Sequence, residues 1–271
     1  MSETLSIVVP VFNEEKSVYE TIARICRLQE QLPSRVSLEV IAVNDGSSDE
    51  SAAILDRLVR EFPILFRVNH HSHNQGKGAA LRTGIALATG TIIGIQDADS
   101  EYDTNDIPRL IDPILSGRAK VVYGTRFSQK RDKSTPNFGT RLWLHGHVNG
   151  FLTSLSNFVN GQRLTDMETC HKFFRAEIIK PIILTSPRFG FEPEITAKVA
   201  RQGVTIMEIP VSYIHRMYHE GKKITWRDGI AACWHIVYFG WIERLFIPSS
   251  SAALQSAPIP ADSIEPIQAE S

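Results

Sequence analysis

Two aspartates, Asp97 and Asp99, stand two residues apart at the end of an apolar run, in the segment "QDADSEYD". In an extended chain such residues project to the same side, so their carboxylates are expected to lie close together and to repel each other. A Mg²⁺ or Mn²⁺ ion relieves that repulsion, because hard divalent cations prefer oxygen ligands and often keep only a few from the protein. The pattern favours a metal site that also binds pyrophosphate oxygens over the alternative, in which Asp99 caps the following helix.

Three other polar clusters also follow apolar, strand-like runs. The segment "PVFNEE" carries Asn13 and Glu15 at a helix start, where the helix dipole stabilises carboxylates. The segment "NDGSSD" sets Asp45 beside a glycine turn, a geometry suited to a ribose or a base edge. In "NQGKGAALRTG" two glycines flank Lys77 at a helix start, where backbone amides and an ammonium group can bind a phosphate. Each segment alone also fits an ordinary turn, and the missing Walker P-loop spacing argues against an ATPase.

Strand-like and helix-like segments alternate along the first half of the chain and must position these clusters. Short β-branched runs predict strands over residues 5–12, 38–45, 64–71, 91–100 and 120–127. Apolar residues spaced three and four apart predict helices between them, with Ser47 or Ser48 as a cap and Gly90 as a stop. The alternation predicts an α/β fold with a mostly parallel, doubly wound sheet, in which ligands bind at the carboxyl ends of the strands.

Composition and the second half of the chain set further limits. One domain is expected over residues 1–247, with a last amphipathic helix over 226–246, a mobile loop over 128–137 and a disordered tail over 248–271. The longest apolar run is shorter than the roughly 20 residues needed to span a bilayer, and no signal peptide is recognised. The three cysteines are far apart, which fits a reducing cytoplasm. With 29 Lys and Arg against 30 Asp and Glu, the charge indicates no nucleic-acid partner.

Together the motifs resemble those of family-2 glycosyltransferases, which have the GT-A nucleotide-diphospho-sugar transferase fold. Within that family the chain resembles the polyprenyl-phosphate, or dolichyl-phosphate, mannose and glucose synthases. The resemblance covers residues 5–246 and rests on the order and spacing of "PVFNEE", "NDGSSD", "NQGKGAALRTG", "DADSEYD", "GTR", "DMETCHKFFR" and "EGKKITWRDG". Asn44 departs from the pattern, because many members have aspartate there, and this leaves the choice of nucleotide open. A second departure is that many close relatives end in transmembrane helices, whereas no such helix is expected from this sequence.

The resemblance implies roles for particular residues. The nucleotide would be held by Pro10, Asn13, Glu15, Asp45, Lys77 and Asp97, and the metal, Mg²⁺ or Mn²⁺, by Asp97, Asp99 and Glu101. The catalytic set would be Asp99, Asp166, Arg126, Arg216, Lys222 and Lys223, of which the four basic residues would face phosphates of donor and acceptor. Asp166 would orient the sugar or the acceptor, or act as a base toward a hydroxyl acceptor. Its alternative role is to cap the turn before the following strand.

Charge determines the expected mechanism. A lipid phosphate has a second pKa of about 6, so it is already a nucleophile near neutral pH, and the difficult step is to stabilise the departing nucleoside diphosphate. Direct attack would invert the anomeric centre. The expected reaction is transfer of a hexose from UDP-glucose or GDP-mannose to polyprenyl phosphate. The alternatives are a family-2 transferase with a soluble sugar or polysaccharide acceptor, and a non-catalytic subunit that binds nucleotide sugar. His70, His71 and His73 are interpreted as surface residues rather than metal ligands.

A membrane surface is the last expected partner. An apolar stripe of Val148, Phe151, Leu152, Leu155, Phe158 and Val159 follows a basic stretch over residues 126–141, which predicts an interface helix over 137–160. The alternative is that this stripe packs on the sheet or on a partner subunit. Residues 215–229 are expected to form a lid over the acceptor phosphate. The protein is thus expected in the cytoplasm, peripheral on the cytoplasmic membrane face, with a homo-oligomer or a separate membrane-anchor subunit left open.

Overall fold

A computed structural model describes residues 2–127, 140–188, 190–214 and 226–246 of the chain. Within these residues one mixed sheet contains seven strands in the order β3-β2-β1-β4-β6-β5-β7. The strands are β1 (Glu3–Val11), β2 (Val36–Asn44), β3 (Phe66–His70), β4 (Ile92–Ile95), β5 (Val121–Thr125), β6 (Lys172–Arg175) and β7 (Ile206–Pro210). Only β6 runs antiparallel to its neighbours among them, so the predicted α/β fold with a mostly parallel sheet is confirmed.

Helices cover both faces of the sheet. They are α1 (Val18–Arg27), α2 (Ser51–Glu61), α3 (Lys77–Leu87), α4 (Ile107–Leu115), α5 (Thr140–Asn160), α6 (Ala176–Ile179), α7 (Phe191–Arg201), α8 (Trp226–Val237) and α9 (Glu243–Phe246). A π-helical segment, Tyr238–Ile242, joins α8 to α9, so the predicted last helix is continuous but not α-helical throughout. Within the described residues, no helix is both long enough and apolar enough to cross a membrane.

The core has two layers because side chains alternate across the strands. In β1, Leu5, Ile7 and Val9 join the buried cluster under α1, α2 and α4, whereas Val8 joins the cluster under α3, α5 and α7. A central strand that is buried on both faces explains why β1 reads as a nearly continuous apolar run. The carboxyl ends of β1, β2 and β4 lie side by side, and the polar clusters follow at this edge.

Three local predictions were wrong. The strand predicted over residues 91–100 ends at Ile95, and Asp97 and Asp99 lie in the turn that follows. Helix α3 ends at Leu87, before Gly90, which is instead required by the close approach of Ser6 and Thr4. Neither Ser47 nor Ser48 caps α2, because that helix begins only at Ser51 and its first amide donates to Asp49 Oδ1 at 3.0 Å.

The apolar stripe of α5 is divided between the core and the surface. Leu152 and Val159 are 5% exposed and belong to the core, and Leu155 packs against them. Phe151 and Phe158, in contrast, are 61% and 75% exposed. The packing alternative is therefore correct for half of the stripe, while the other half faces outward. The loop predicted over 128–137, the tail predicted over 248–271 and most of the predicted lid lie outside the described residues.

Candidate active site

Two loops interlock at the carboxyl ends of β1 and β2. Asn13 donates its backbone N–H to Ser47 Oγ at 3.0 Å, and its side-chain oxygen accepts from the Ser48 N–H at 2.9 Å. Glu15 accepts from the Glu50 N–H at 3.2 Å in the same way. The prediction that Asn13 and Glu15 open α1 was therefore wrong. That helix begins at Val18, and the side chains of Asn13 and Glu15 fix the neighbouring loop instead. Pro10 lies partly exposed within β1, opposite Val43 of β2.

Asp45 holds the loop that precedes α3. Its carboxylate accepts from the N–H groups of Gln75 and Gly76 at 2.9 and 2.7 Å and from His71 Nδ1 at 2.8 Å. The other imidazole nitrogen of His71 contacts Thr83 Oγ1 at 2.9 Å. The side chain of His71 is buried, so the interpretation of this histidine as a surface residue was wrong. The nucleotide role of Asp45 stays a prediction, and its observed role is to position the glycine loop.

Lys77 begins α3 and turns its ammonium group toward carboxylates. Its Nζ lies 3.1 Å from Asp97 and 3.1 Å from Glu192, and 3.2 Å from Cys170 Sγ. Burial alone would lower the pKa of Lys77, but the charges of Asp97, Cys170 and Glu192 raise it well above its usual value. The flanking glycines are needed because residues 186–188 approach closely: a Cβ on Gly76 would lie 2.3 Å from Pro187 O.

The predicted metal ligands lie in the turn after β4. Asp99 Oδ1 accepts from the Glu101 N–H at 3.1 Å, and Ser100 takes a positive φ of 59°. Glu101 accepts from the Tyr213 hydroxyl at 2.6 Å. Within the described residues, no three or more His, Cys, Asp or Glu side chains are arranged to hold a metal ion, and the role of Asp97, Asp99 and Glu101 as metal ligands stays a prediction. Contrary to the prediction, Asp97 and Asp99 do not lie in an extended strand, because β4 ends at Ile95 and the chain turns here.

Asp97 and Asp99 nevertheless fit a divalent cation that also binds phosphates. Asp97 Oδ1 is buried and makes no hydrogen bond within the described residues, although Lys77 Nζ lies 3.1 Å away. A carboxylate oxygen that makes an ion pair but no hydrogen bond can still be a metal ligand, and Mg²⁺ or Mn²⁺ commonly keeps one or two protein carboxylates and completes its shell with phosphate oxygens and water.

Arg126 and Asp166 form a buried ion pair at the carboxyl end of β5. The guanidinium binds both carboxylate oxygens, at 2.6 and 2.7 Å, and the Arg126 N–H and Asn149 Nδ2 donate to the same carboxylate. Asp166 is 0% exposed, and its own N–H donates to Glu208 Oε1 at 2.9 Å. Such a bidentate pair fixes both side chains. Asp166 therefore orients Arg126, and neither of its oxygens is free of hydrogen bonds.

Two charged residues of the interior, the buried Lys172 and the half-buried Glu168, were not singled out from the sequence. Lys172 Nζ donates to the carbonyl oxygens of Met167 and Thr169 and lies 4.4 Å from the centre of the Tyr123 ring. Burial lowers the pKa of Lys172. Glu168 lies in the same segment, and burial and the charge of Glu192 raise its pKa to about 7. Glu168 and Lys172 stand inside "DMETCHKFFR", but only geometry distinguishes them from core-lining residues.

The structure thus links most of the predicted site. Asn13 and Glu15 bind the loop after β2, Asp45 of that loop binds Gly76, and Lys77 binds Asp97. Tyr213 lies against both Glu101 and Arg126, with 5.1 Å between the guanidinium carbon and the ring centre. Arg216, Lys222 and Lys223 lie outside the described residues.

The sequence that carries this site matches a known family. The family model described as "Glycosyl transferase family 2" matches residues 6–183, which include every site residue named above up to Lys172. The chain belongs to glycosyl transferase family 2. The resemblance inferred from the motifs is therefore confirmed.

Two curated relatives are 30% identical to this family-2 chain. One is the dodecaprenyl-phosphate galacturonate synthase of Rhizobium johnstonii, with 72% of this chain and 54% of the relative covered. The other is the dolichyl-phosphate beta-glucosyltransferase of Trichomonas vaginalis, with 77% and 65% covered. The chain thus spans between about half and two thirds of the length of these relatives.

A solved structure shows the same fold. Glucosyl-3-phosphoglycerate synthase from Mycobacterium tuberculosis, in complex with Mn²⁺, uridine diphosphate and phosphoglyceric acid, superposes with a TM-score of 0.62. The two chains are 18% identical, and the match covers 92% of this chain and 80% of the other. The GT-A fold expected from the motifs is therefore confirmed.

Proposed function

We propose that this family-2 chain transfers a hexose from a nucleotide sugar, UDP-glucose or GDP-mannose, to a polyprenyl or dolichyl phosphate with inversion at the anomeric carbon. The observation that carries the proposal is the state of Asp166. Both of its oxygens are bound by Arg126, so the site offers this carboxylate as a support for a cation rather than as a base. An acceptor that ionises by itself suits such a site, and a phosphate monoester does so near neutral pH. The two relatives described above act on polyprenyl phosphates by name.

One group of residues would act on the donor and another on the acceptor. Asp97 and Asp99 would hold Mg²⁺ or Mn²⁺, which neutralises the charge that grows on the leaving nucleoside diphosphate. Lys77 keeps Asp97 ionised and in place through its ammonium group. Arg126, held in one orientation by Asp166, presents its positive charge toward the acceptor phosphate. Electrostatic attraction would thereby bring the acceptor oxygen to the anomeric carbon without removal of a proton.

A transfer assay tests the reaction. Purified protein with Mn²⁺ and radiolabelled UDP-glucose or GDP-mannose is expected to move label into the organic phase when undecaprenyl or dolichyl phosphate is present. Free sugars and oligosaccharides, tested as acceptors in parallel, are expected to receive no label. Transfer to a soluble sugar would support the hydroxyl-acceptor alternative, and no transfer with any donor would support a non-catalytic nucleotide-sugar subunit.

An exposed aromatic surface supports the membrane as the place where this acceptor is met. Phe151 and Phe158 project from α5, and the Phe158 ring lies 5.8 Å from that of Trp241, which is 48% exposed. Clustered aromatic side chains of this kind insert at the boundary between headgroups and acyl chains. We refer to these three residues as the aromatic surface. It would bring the site to the cytoplasmic membrane face, where the lid predicted over 215–229 would cover the acceptor phosphate.

Phe151→Asp and Phe158→Asp are expected to reduce flotation with anionic liposomes by about tenfold each, because a charge in an apolar interface costs more than 1 kcal/mol. The matched control is Ile64→Asp, which changes an exposed residue outside the aromatic surface and should float like the parent. Leu155 is unsuitable because it packs against the core. Equal flotation of all four proteins, or a parent that does not bind liposomes, would exclude the aromatic surface as the membrane contact.

A further inference from the structure

A short segment, residues 211–214, crosses from the acceptor end of the proposed site to the donor end. Val211 donates its N–H to Thr125 O at 3.0 Å, at the end of β5. Ile214 then donates its N–H to Glu101 O at 2.8 Å, in the turn after β4. Strands β4 and β5 are not neighbours in the sheet, because β6 lies between them. The segment therefore joins two strand ends that the sheet itself holds apart.

The side chain of Tyr213 contacts both ends of the site. Its hydroxyl group donates to Glu101 Oε2 at 2.6 Å, and the centre of its ring lies 5.1 Å from the guanidinium carbon of Arg126. A guanidinium group within about 6 Å of a ring centre is attracted by the aromatic π system. Because tyrosine combines an aromatic face with a polar tip, this one side chain binds a carboxylate and a cation at the same time.

Tyr102 packs against the Tyr213 ring. The two residues form an antiparallel β-bridge, and their ring centres lie 4.9 Å apart. Tyr102 is only 4% exposed, and its hydroxyl group accepts from the Cys170 N–H at 3.1 Å. Glu101, Tyr213 and Arg126 thus form a continuous chain of packed groups, the kind of network through which two binding sites can be coupled.

We propose that Tyr213 is a positioning residue that couples the two ends of the site, so that an acceptor phosphate binds more tightly when Mn²⁺ and a nucleoside diphosphate are bound. Donor binding fixes the turn after β4, and Tyr213 then holds the Arg126 guanidinium where it meets the acceptor phosphate. This inference rests on the proposed function. It adds a residue that lies outside residues 6–183, which the family model matches.

Calorimetric titration tests the coupling without turnover. Geranyl phosphate, a short water-soluble prenyl phosphate, is titrated into the protein with Mn²⁺ alone and into the protein saturated with Mn²⁺ and UDP or GDP. The parent is expected to bind geranyl phosphate about fivefold more tightly when the nucleoside diphosphate is bound. Tyr213→Phe loses the bond to Glu101 and keeps the ring, so this ratio should fall to about one while the affinity without nucleotide stays within about twofold.

Tyr213→Leu removes both contacts. It should lose the coupling and also bind geranyl phosphate about fivefold more weakly without nucleotide, because Arg126 loses the ring. The matched control is Tyr19→Phe. Tyr19 likewise donates its hydroxyl group to a glutamate, Glu61, at 3.1 Å, and the guanidinium carbon of Arg57 lies 4.6 Å from its ring centre. Tyr19 is not among the proposed site residues, so Tyr19→Phe should keep the ratio of the parent.

Several results would overturn the inference and leave the proposed function standing. They are a Tyr213→Phe ratio equal to that of the parent, an equal fall of the ratio in Tyr19→Phe, and a parent that binds both ligands without coupling. The last of these can be measured even if a variant fails to fold. A parent that binds no nucleoside diphosphate, or no geranyl phosphate, contradicts the proposed function itself, and the inference fails with it.

Discussion

Asp99→Asn is expected to lower turnover by about a hundredfold or more and to leave the free energy of unfolding nearly unchanged. The substitution removes a charge from the proposed metal site. The asparagine oxygen can still accept the hydrogen bond that the Glu101 N–H donates to Asp99 at 3.1 Å, so the turn should persist. Turnover is measured against Mn²⁺ concentration, and Mn²⁺ binding is followed independently by paramagnetic resonance with nucleoside diphosphate present.

Asp103→Asn is the matched control for this substitution. Asp103 Oδ1 accepts from the Asn105 N–H at 3.0 Å. This bond, like that of Asp99, joins an aspartate to the backbone N–H two residues later, but Asp103 is not among the proposed ligands. Asp103→Asn should keep normal turnover and normal Mn²⁺ binding. Equal losses in both variants would show that the turn and not the metal is affected, and full turnover in chelator would refute the metal role. Asp97→Asn should resemble Asp99→Asn and also lose stability, because Lys77 loses one of its partners.

Asp166→Asn is expected to lower the free energy of unfolding by about 3 kcal/mol and to lower turnover together with it. The substitution leaves the guanidinium of Arg126 buried without its counter-charge, and that guanidinium is bound to Asp166 through two bonds of 2.6 and 2.7 Å. Arg126→Met should be destabilised for the converse reason. Chemical denaturation and steady-state turnover are measured on the same preparations.

A double variant tests whether Asp166 acts as the counter-charge of Arg126 or as a general base. Arg126→Met combined with Asp166→Asn removes both charges, so it should be destabilised by less than the sum of the single variants. Asp112→Asn, which breaks the exposed pair of Asp112 with Arg118, should cost less than about 1 kcal/mol. If Asp166→Asn abolished turnover with no change in stability, Asp166 would act as a base, and a hydroxyl acceptor would become the better proposal.

The sheet was predictable because its signal is repeated along the chain. Most parallel strands are apolar runs of four to nine residues followed by a helix, and this alternation leaves few topologies open. The antiparallel strand β6 was not foreseen as such, because the direction of a strand depends on where the chain returns and not on its own residues. The early end of β4 at Ile95 was missed for a similar reason, since the turn depends on the bond between Asp99 and Glu101.

The positions of the site residues along the sheet could be predicted, but the contacts between their side chains could not. The motifs located Asp45, Lys77, Asp97 and Asp166 at the strand ends, but not that Asp45 binds Gly76 or that Asp166 binds Arg126. These pairings join residues about 30 to 40 positions apart, and single-residue patterns carry no information on distance across the sheet. The nucleotide, metal and phosphate roles of the predicted residues stay predictions.

The position of β6 in the sheet bears on the order in which a nascent chain can fold. Strands β1 to β4 form a contiguous half-sheet whose residues have all been synthesised before β5 is complete. Among the residues that the structure describes, β5 pairs only with β6 and β7, so it lacks these partners until at least residue 172 has been synthesised. During that interval an apolar strand edge is exposed, which is the condition under which chaperones bind and truncated chains aggregate. Fragments that end between β5 and β6 should therefore depend on chaperones more than fragments that end after β4.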